Sequence, residues 1–170
     1  EVAGVFSDKP ASGALALARA AGVPAVALSP RGFDSREAHD AAMFSEIAAV
    51  QPDLIVCAGY LRIIGAQALQ RFEGRMINIH PSLLPAFTGL HTHRRALEAG
   101  VKLHGATVHF VTAELDDGPI VVQAAVPVRA DDDEAALVAS SQEALADLET
   151  LFEADLSPDE AAEDDGDAGR

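Results

Sequence analysis

Asp53-Leu54-Ile55-Val56-Cys57-Ala58 is the stretch on which the fold turns. Its continuous apolar run, Leu54 to Cys57, is what a strand buried on both faces requires, and such strands belong to parallel sheets covered by helices. Working outward, Ala66–Phe72 reads as a short helix and Met76–Ile79 as the next strand. On the other side, Asp34-Ser35-Arg36-Glu37 has the acid and the spacing of a capping box, opening a helix to about Val50. Before it come a strand at Val2–Ser7, an Ala- and Leu-rich helix at Ala11–Ala21 closed by Gly22, and a strand at Val23–Leu28. Strands alternating with helices at this spacing predict a parallel α/β sheet.

The pattern changes toward the C-terminus. A helix from about Thr92 to Glu98 ends at Gly100. Thr107–Val111 and Ile120–Val128 then read as two strands, joined by a loop, Thr112–Pro119, too short for a helical crossover, so the pair is expected to be antiparallel. A helix follows Asp131–Asp133 and reaches about Phe152. Residues 1–153 are expected to form one domain, and 154–170 an acidic, disordered tail.

Charge divides the chain the same way. Residues 1–130 hold 12 acidic and 11 basic side chains, whereas 131–170 hold 15 acidic and one basic. The net charge of −15 therefore belongs to the C-terminal segment. No basic patch supports nucleic-acid binding, and no run of about 18 apolar residues suggests a membrane span. Cys57 is the single cysteine. It reads as a buried small hydrophobe in a reducing, cytoplasmic setting.

Ligands of open α/β sheets collect at the carboxyl ends of the strands. Three loops are expected there: Gly59–Ile64, His80–Leu90 and Thr112–Pro119. Asn78 and His80, two apart on a strand, share a face. An amide donor beside a titratable donor can stabilise a developing oxyanion. Asp116-Asp117-Gly118-Pro119 has turn-forming composition, and one of its carboxylates could also meet His80 and favour the charged imidazole. Tyr60-Leu61-Arg62-Ile63-Ile64 could line a flat ligand pocket, or be core packing with an exposed arginine. Arg36, in a helix first turn, reads as solvent-facing. His91 and His93 would diverge by about 200° on a helix, which suits metal ligation poorly. His104 and His109 read as packing or surface residues, and His39 as solvated. No glycine-rich nucleotide-binding motif is present.

Taken together, these segments resemble the folate-dependent formyltransferase family, and within it the phosphoribosylglycinamide formyltransferases (GAR transformylases). The matching stretches are Phe33 to Glu37, Ala58 to Ile63, Asn78 to Pro85, Gly89-Leu90-His91-Thr92-His93, Val108 to Thr112 and Glu114 to Pro119, in family order. The Gly-Leu-His-Thr-His segment resembles the glycinamide branch rather than methionyl-tRNA formyltransferase or formyltetrahydrofolate deformylase. The resemblance implies a Rossmann-like, mostly parallel twisted sheet with helices on both faces and an antiparallel pair toward the C-terminal side. It also implies direct transfer of a formyl group from 10-formyltetrahydrofolate, as co-substrate, to the amine of glycinamide ribonucleotide in purine biosynthesis, without a metal. Asn78 would hold the formyl oxygen, and His80, charged beside Asp116, would add stabilisation. Asp116 would also help to order a water for proton transfer to the leaving nitrogen. Leu61, Arg62, Ile63, Ile64 and Arg36 match folate contacts, with Asn78 beside them. Glu143, in Gln142-Glu143, matches a ribose contact more loosely.

The family begins with a strand and a Gly/Ser/Asn phosphate loop that this sequence does not match. The expectation is an N-terminally incomplete copy, weakly active or inactive, with a sheet edge that leaves a homodimer open. A deformylase using the same residues to activate water, and a folate-binding remnant without turnover, are the alternatives.

Overall fold

The computed structural model describes residues 1–155, with side chains to Asp147. The expected tail therefore lies, from residue 156 on, outside the described residues. The elements are β1 (Val5–Ser7), α1 (Gly13–Ala20), β2 (Ala25–Ala27), α2 (Arg36–Ala49), β3 (Ile55–Ala58), α3 (Ala66–Arg71), β4 (Met76–His80), α4 (Thr92–Ala99), β5 (Leu103–Phe110), β6 (Ile120–Pro127) and α5 (Glu134–Asp155). The fold is mixed α/β, as the sequence implies.

Local chemistry explains the helix ends. Ser12 caps α1, its side chain accepting from the Leu15 amide. Ser35, not Asp34, caps α2 and accepts from the Ala38 amide at 3.0 Å. Both serines satisfy a donor that the first helical turn leaves free. The capping box was thus read one residue early. Gly100 ends α4 at φ +66, a left-handed conformation that costs glycine little.

The sheet comes in two pieces. β1 and β2 pair in parallel, and β3-β4-β5-β6 form a four-stranded piece. Within the latter, β3 and β4 are parallel, while β4–β5 and β5–β6 are antiparallel. The antiparallel part thus starts one connection earlier than expected. Hydrogen bonds hold the loop after β4 against β5: Thr107 Oγ1 donates to the Ser82 carbonyl at 2.7 Å and accepts from the Leu84 amide at 3.0 Å.

Two apolar clusters flank this framework. Met43, Phe44 and Ile47 of α2 pack with Cys57, Ala68, Phe72 and Met76. Ala96 of α4, Val126 of β6 and Leu137 of α5 form the second. His39 was read as solvated, but it is 1% exposed, and its Nε2 lies 2.9 Å from the Leu28 carbonyl. It sits on the same buried stripe of α2 as Met43, where a polar ring is tolerated because a backbone partner meets it.

β3 departs from its reading as well. Leu54 is 48% and Val56 53% exposed, while Cys57 is buried. β3 has β4 on one edge only, and its other edge borders an open cleft of about 750 Å³ shared with β1.

Candidate active site

The strand register builds the site. Asn78 of β4 lies directly opposite His109 of β5, and His80 opposite Thr107. Side chains at alternate positions share a face, so Asn78, His80, Thr107 and His109 stand together. Cys57 of β3, in register with Asn78, adds the third strand.

Hydrogen bonds fix the orientation of these groups. His109 Nδ1 lies 3.0 Å from the Phe110 carbonyl, so this nitrogen carries the proton and donates it. Nε2 is then the acceptor for the Asn78 Nδ2–H, at 3.2 Å. That bond sets the Asn78 carboxamide and leaves its second N–H free. His80 Nε2 lies 3.0 Å from the Phe87 carbonyl and donates to it. Its Nδ1 faces Asp116 Oδ2 at 3.4 Å, and Asp116 Oδ1 lies 3.8 Å from His109 Nε2. One carboxylate therefore stands between two imidazoles. The Gly89 amide donates to Asp116 Oδ2 at 2.8 Å, a charge-assisted bond that ties the loop after β4 to the β5–β6 loop.

Backbone strain supports this placement. Asp116 has φ +54 and Phe87 φ +56, values uncommon outside glycine and costing of order 1–3 kcal/mol each. Gly118 closes the loop where no side chain fits, because a Cβ there would stand 1.8 Å from the Phe110 carbonyl oxygen. The Asp-Asp-Gly-Pro segment is thus both a turn and the source of the site carboxylate.

Asn78 and Asp116 line a pocket of about 140 Å³ together with Tyr60, Arg62, Ile63 and Ile64. Val111 and the Thr112–Leu115 loop complete the wall. Apolar side chains beside loop backbone suit a flat heteroaromatic head. His80 is buried and does not line the pocket. Leu61 is 72% exposed and lies off the wall. Arg36 is exposed in the first turn of α2, 3.4 Å from Glu37, and Glu143 is exposed on α5; neither lines the pocket. Arg62 Nε donates to Asp8 Oδ2 at 2.8 Å.

Burial shapes the other groups nearby. It pushes the Cys57 thiol up to about 11, which removes it as a nucleophile at neutral pH. It also lifts the Tyr60 hydroxyl to about 12, with Asp40 and Asp8 acting in the same direction. His91 precedes α4 as its N-cap and is exposed, whereas His93 packs its ring edge-on against His104. His109 is the site residue that the sequence reading left among packing residues. No local pattern singled it out, because its meeting with Asn78 requires the β4–β5 register.

A mixed α/β framework thus brings an amide, two imidazoles and a shared carboxylate together on β4, β5 and the loop after β5, beside a small pocket. The formyl transferase family profile matches residues 1–150, and the chain belongs to that family. It is 49% identical over 141 residues to the phosphoribosylglycinamide formyltransferase of Escherichia coli K12, covering 83% of this chain and 66% of that protein. A trifunctional purine biosynthetic protein of Drosophila melanogaster is 49% identical over 135 residues, 78% of this chain and 10% of its own length. Among solved structures, glycinamide ribonucleotide transformylase 1 of Symbiobacterium toebii superposes with a TM-score of 0.83 at 46% identity, covering 89% of this chain and 70% of that one. The chain thus spans about two thirds of the Escherichia coli protein.

Proposed function

We propose that the site transfers a formyl group from 10-formyltetrahydrofolate to the amine of glycinamide ribonucleotide, a step of purine biosynthesis. The observation that carries this reading is the Asn78 carboxamide, held by His109 and turned to a pocket whose rim bears Asp116. Attack of the amine on the formyl carbon makes the carbon tetrahedral and its oxygen negative. The free N–H of Asn78 donates to that oxygen, a bond that strengthens as charge develops. His80 stands behind the amide, its Nε2 donating to the Phe87 carbonyl and its Nδ1 3.4 Å from Asp116 Oδ2; with a proton on both nitrogens it would add positive charge there. Asp116 balances that charge and orders a water that carries the proton from the amine to the leaving nitrogen of the folate. Ile63, Ile64 and Val111 offer the ring system an apolar wall, with Arg62 at its edge.

Arg36 as a folate contact and Glu143 as a ribose contact belong to this proposal through the family resemblance alone. A cytoplasmic location and a homodimer accompany it. Sedimentation of the purified chain at micromolar concentration tests the homodimer.

The decisive experiment incubates the protein with 10-formyltetrahydrofolate, with and without glycinamide ribonucleotide, and separates the products. Formylated ribonucleotide appearing with tetrahydrofolate in equal amounts is expected. Formate released without acceptor would instead favour the hydrolase, in which water takes the place of the amine. Folate-analogue binding without either product would leave a binding protein.

A further inference from the structure

The loop between β4 and α4 is held from two sides. Phe87, Gly89 and His91 have φ +56, +78 and +57, so alternate residues lie in the left-handed region. Two of the three are not glycine, and such a path persists only where its surroundings fix it. Its polar groups are used in turn. The Phe87 carbonyl accepts from His80 Nε2 at 3.0 Å, and the Gly89 amide donates to Asp116 Oδ2 at 2.8 Å. The carbonyls of Thr88 and Leu90 meet Arg95 instead, whose Nη1 donates to them at 2.5 and 3.4 Å. Along four consecutive residues, contact with the site thus alternates with contact to one arginine.

Arg95 also grips the loop through its side chain. The guanidinium lies over the Phe87 ring, 5.7 Å from the centroid, and His104 meets the same ring edge-on at 6.1 Å. A planar guanidinium suits this work, because it can donate in its plane while its face stacks on an aromatic ring. The helix that carries it is itself anchored. Thr92 Oγ1 donates to the Pro81 carbonyl, and Ala96 is fully buried. The preceding arginine makes the contrast. Arg94 pairs with Glu98 at 2.9 Å, an exposed pair one helical turn apart that contributes little. Arg95 is also exposed and does not line the pocket, yet it directs its charge to backbone oxygens one residue away from those that hold His80 and Asp116.

We infer that Arg95 is a positioning residue: its guanidinium clamps Phe87 to Leu90 in the one path that sets the Phe87 carbonyl on His80 and the Gly89 amide on Asp116. Without the clamp, the Thr88 and Leu90 carbonyls turn to water and the left-handed residues relax. The Phe87 and Gly89 contacts then loosen together, because both belong to the same short stretch. Asn78 is spared, since His109 holds it from β5. The wall of Ile63, Ile64 and Val111 is also spared, since it belongs to other segments. Loss of Arg95 therefore acts on the reacting geometry and not on the binding surface. The consequence for rate rests on the formyl-transfer reading above; the consequence for the loop does not.

The test compares Arg95→Ala, Arg95→Lys and Arg94→Ala in the full 170-residue protein. In Arg95→Ala, amide exchange at Gly89 should quicken about tenfold or more. The His80 Nε2 proton, followed by NMR of protein carrying 15N-histidine, should broaden through exchange with water. With both substrates present, kcat should fall about tenfold while each KM stays within about twofold of the parent. Arg95→Lys keeps a donor but not the planar fork, and should recover part of the rate. Arg94→Ala should match the parent throughout. Unchanged Gly89 and His80 signals in Arg95→Ala would overturn the inference, as would loosened signals with kcat preserved. Equal effects from Arg94→Ala would overturn it too, by making the charge of α4 the cause. So would exchange quickened equally at Ala106, buried in β5, which would mean a merely structural role. If the parent forms no formylated product, the formyl-transfer reading falls, and the Gly89 and His80 signals still decide the clamp.

Discussion

The β3–β6 piece and the β1–β2 piece follow different rules. In the first, β5 and β6 run eight residues each, and Asn78, His80, His109 and Asp116 all have partners. In the second, each strand has three residues and one neighbour. The first piece closes its own hydrogen bonding and can hold side chains to the tolerance that catalysis needs. The second touches the pocket chiefly through Asp8 and Arg62. Reactivity should therefore answer to substitutions in β4, β5 and the Asp116 loop, and be nearly blind to conservative changes at the cleft.

The largest effect is expected at Asn78. Asn78→Ala removes the donor aimed at the oxyanion, and kcat should fall by about 10²–10³, or roughly 3–4 kcal/mol. The residue is only partly buried, so thermal unfolding should barely move. Steady-state kinetics alongside calorimetry check this. A variant that stays within tenfold of the parent would remove Asn78 from the chemistry.

Next in size is a pH effect in the same piece. His104 is 1% exposed, and neither ring nitrogen has a hydrogen-bond partner. Burial pushes it down from 6.5 to about 4, and the neighbouring His93 acts the same way. Between those values the unfolded chain binds a proton that the folded chain refuses. Stability from this residue is thus fully present above about pH 6.5 and is lost as pH falls toward 4. Between pH 7 and pH 5 the loss should be about 2 kcal/mol. His104→Phe, which can keep the edge-on contacts with Phe87 and His93, should abolish that part of the pH dependence. Urea unfolding at the two pH values measures it; equal losses in parent and variant would refute the assignment.

Those residues were unequally legible in the sequence. Asn78 and His80 could be paired from two-residue spacing on a strand, because that periodicity is local. Composition showed the Asp116 loop as a turn whose carboxylate could meet His80, and only the resemblance singled out Asp116 for that role. Its meeting with His80 depends on the β5–β6 return and on a left-handed backbone that composition does not encode. His109 was missed because cross-strand partners depend on register, which no single segment specifies. The alternation of strands and helices carried the α/β class and the reversal before Ile120, but not the earlier reversal between β4 and β5. Misread was the burial of Leu54 and Val56: an apolar run reveals what a strand needs, but not whether a neighbour is there to supply it.

A smaller effect is expected at His109. It touches Asn78 and not the pocket, so it acts by positioning. His109→Leu leaves the carboxamide free to rotate, and kcat should fall about tenfold, or 1.4 kcal/mol. KM should stay unchanged, because the wall of the pocket is untouched. His109→Gln, which keeps an acceptor, should recover part of the loss. A rise in KM for either substrate with kcat preserved would mean that His109 shapes the binding surface instead.

The smallest effect makes the sharpest use of the contrast. In a strand buried on both faces, Val→Thr places a hydroxyl in apolar surroundings and costs about 1–3 kcal/mol. Val56 is 53% exposed, so Val56→Thr should cost no more than about 0.5 kcal/mol, the range of ordinary surface changes. Denaturant midpoints of parent and variant measure it. A large cost would show the cleft closed in solution, and the two halves would then differ in strand length rather than in completeness.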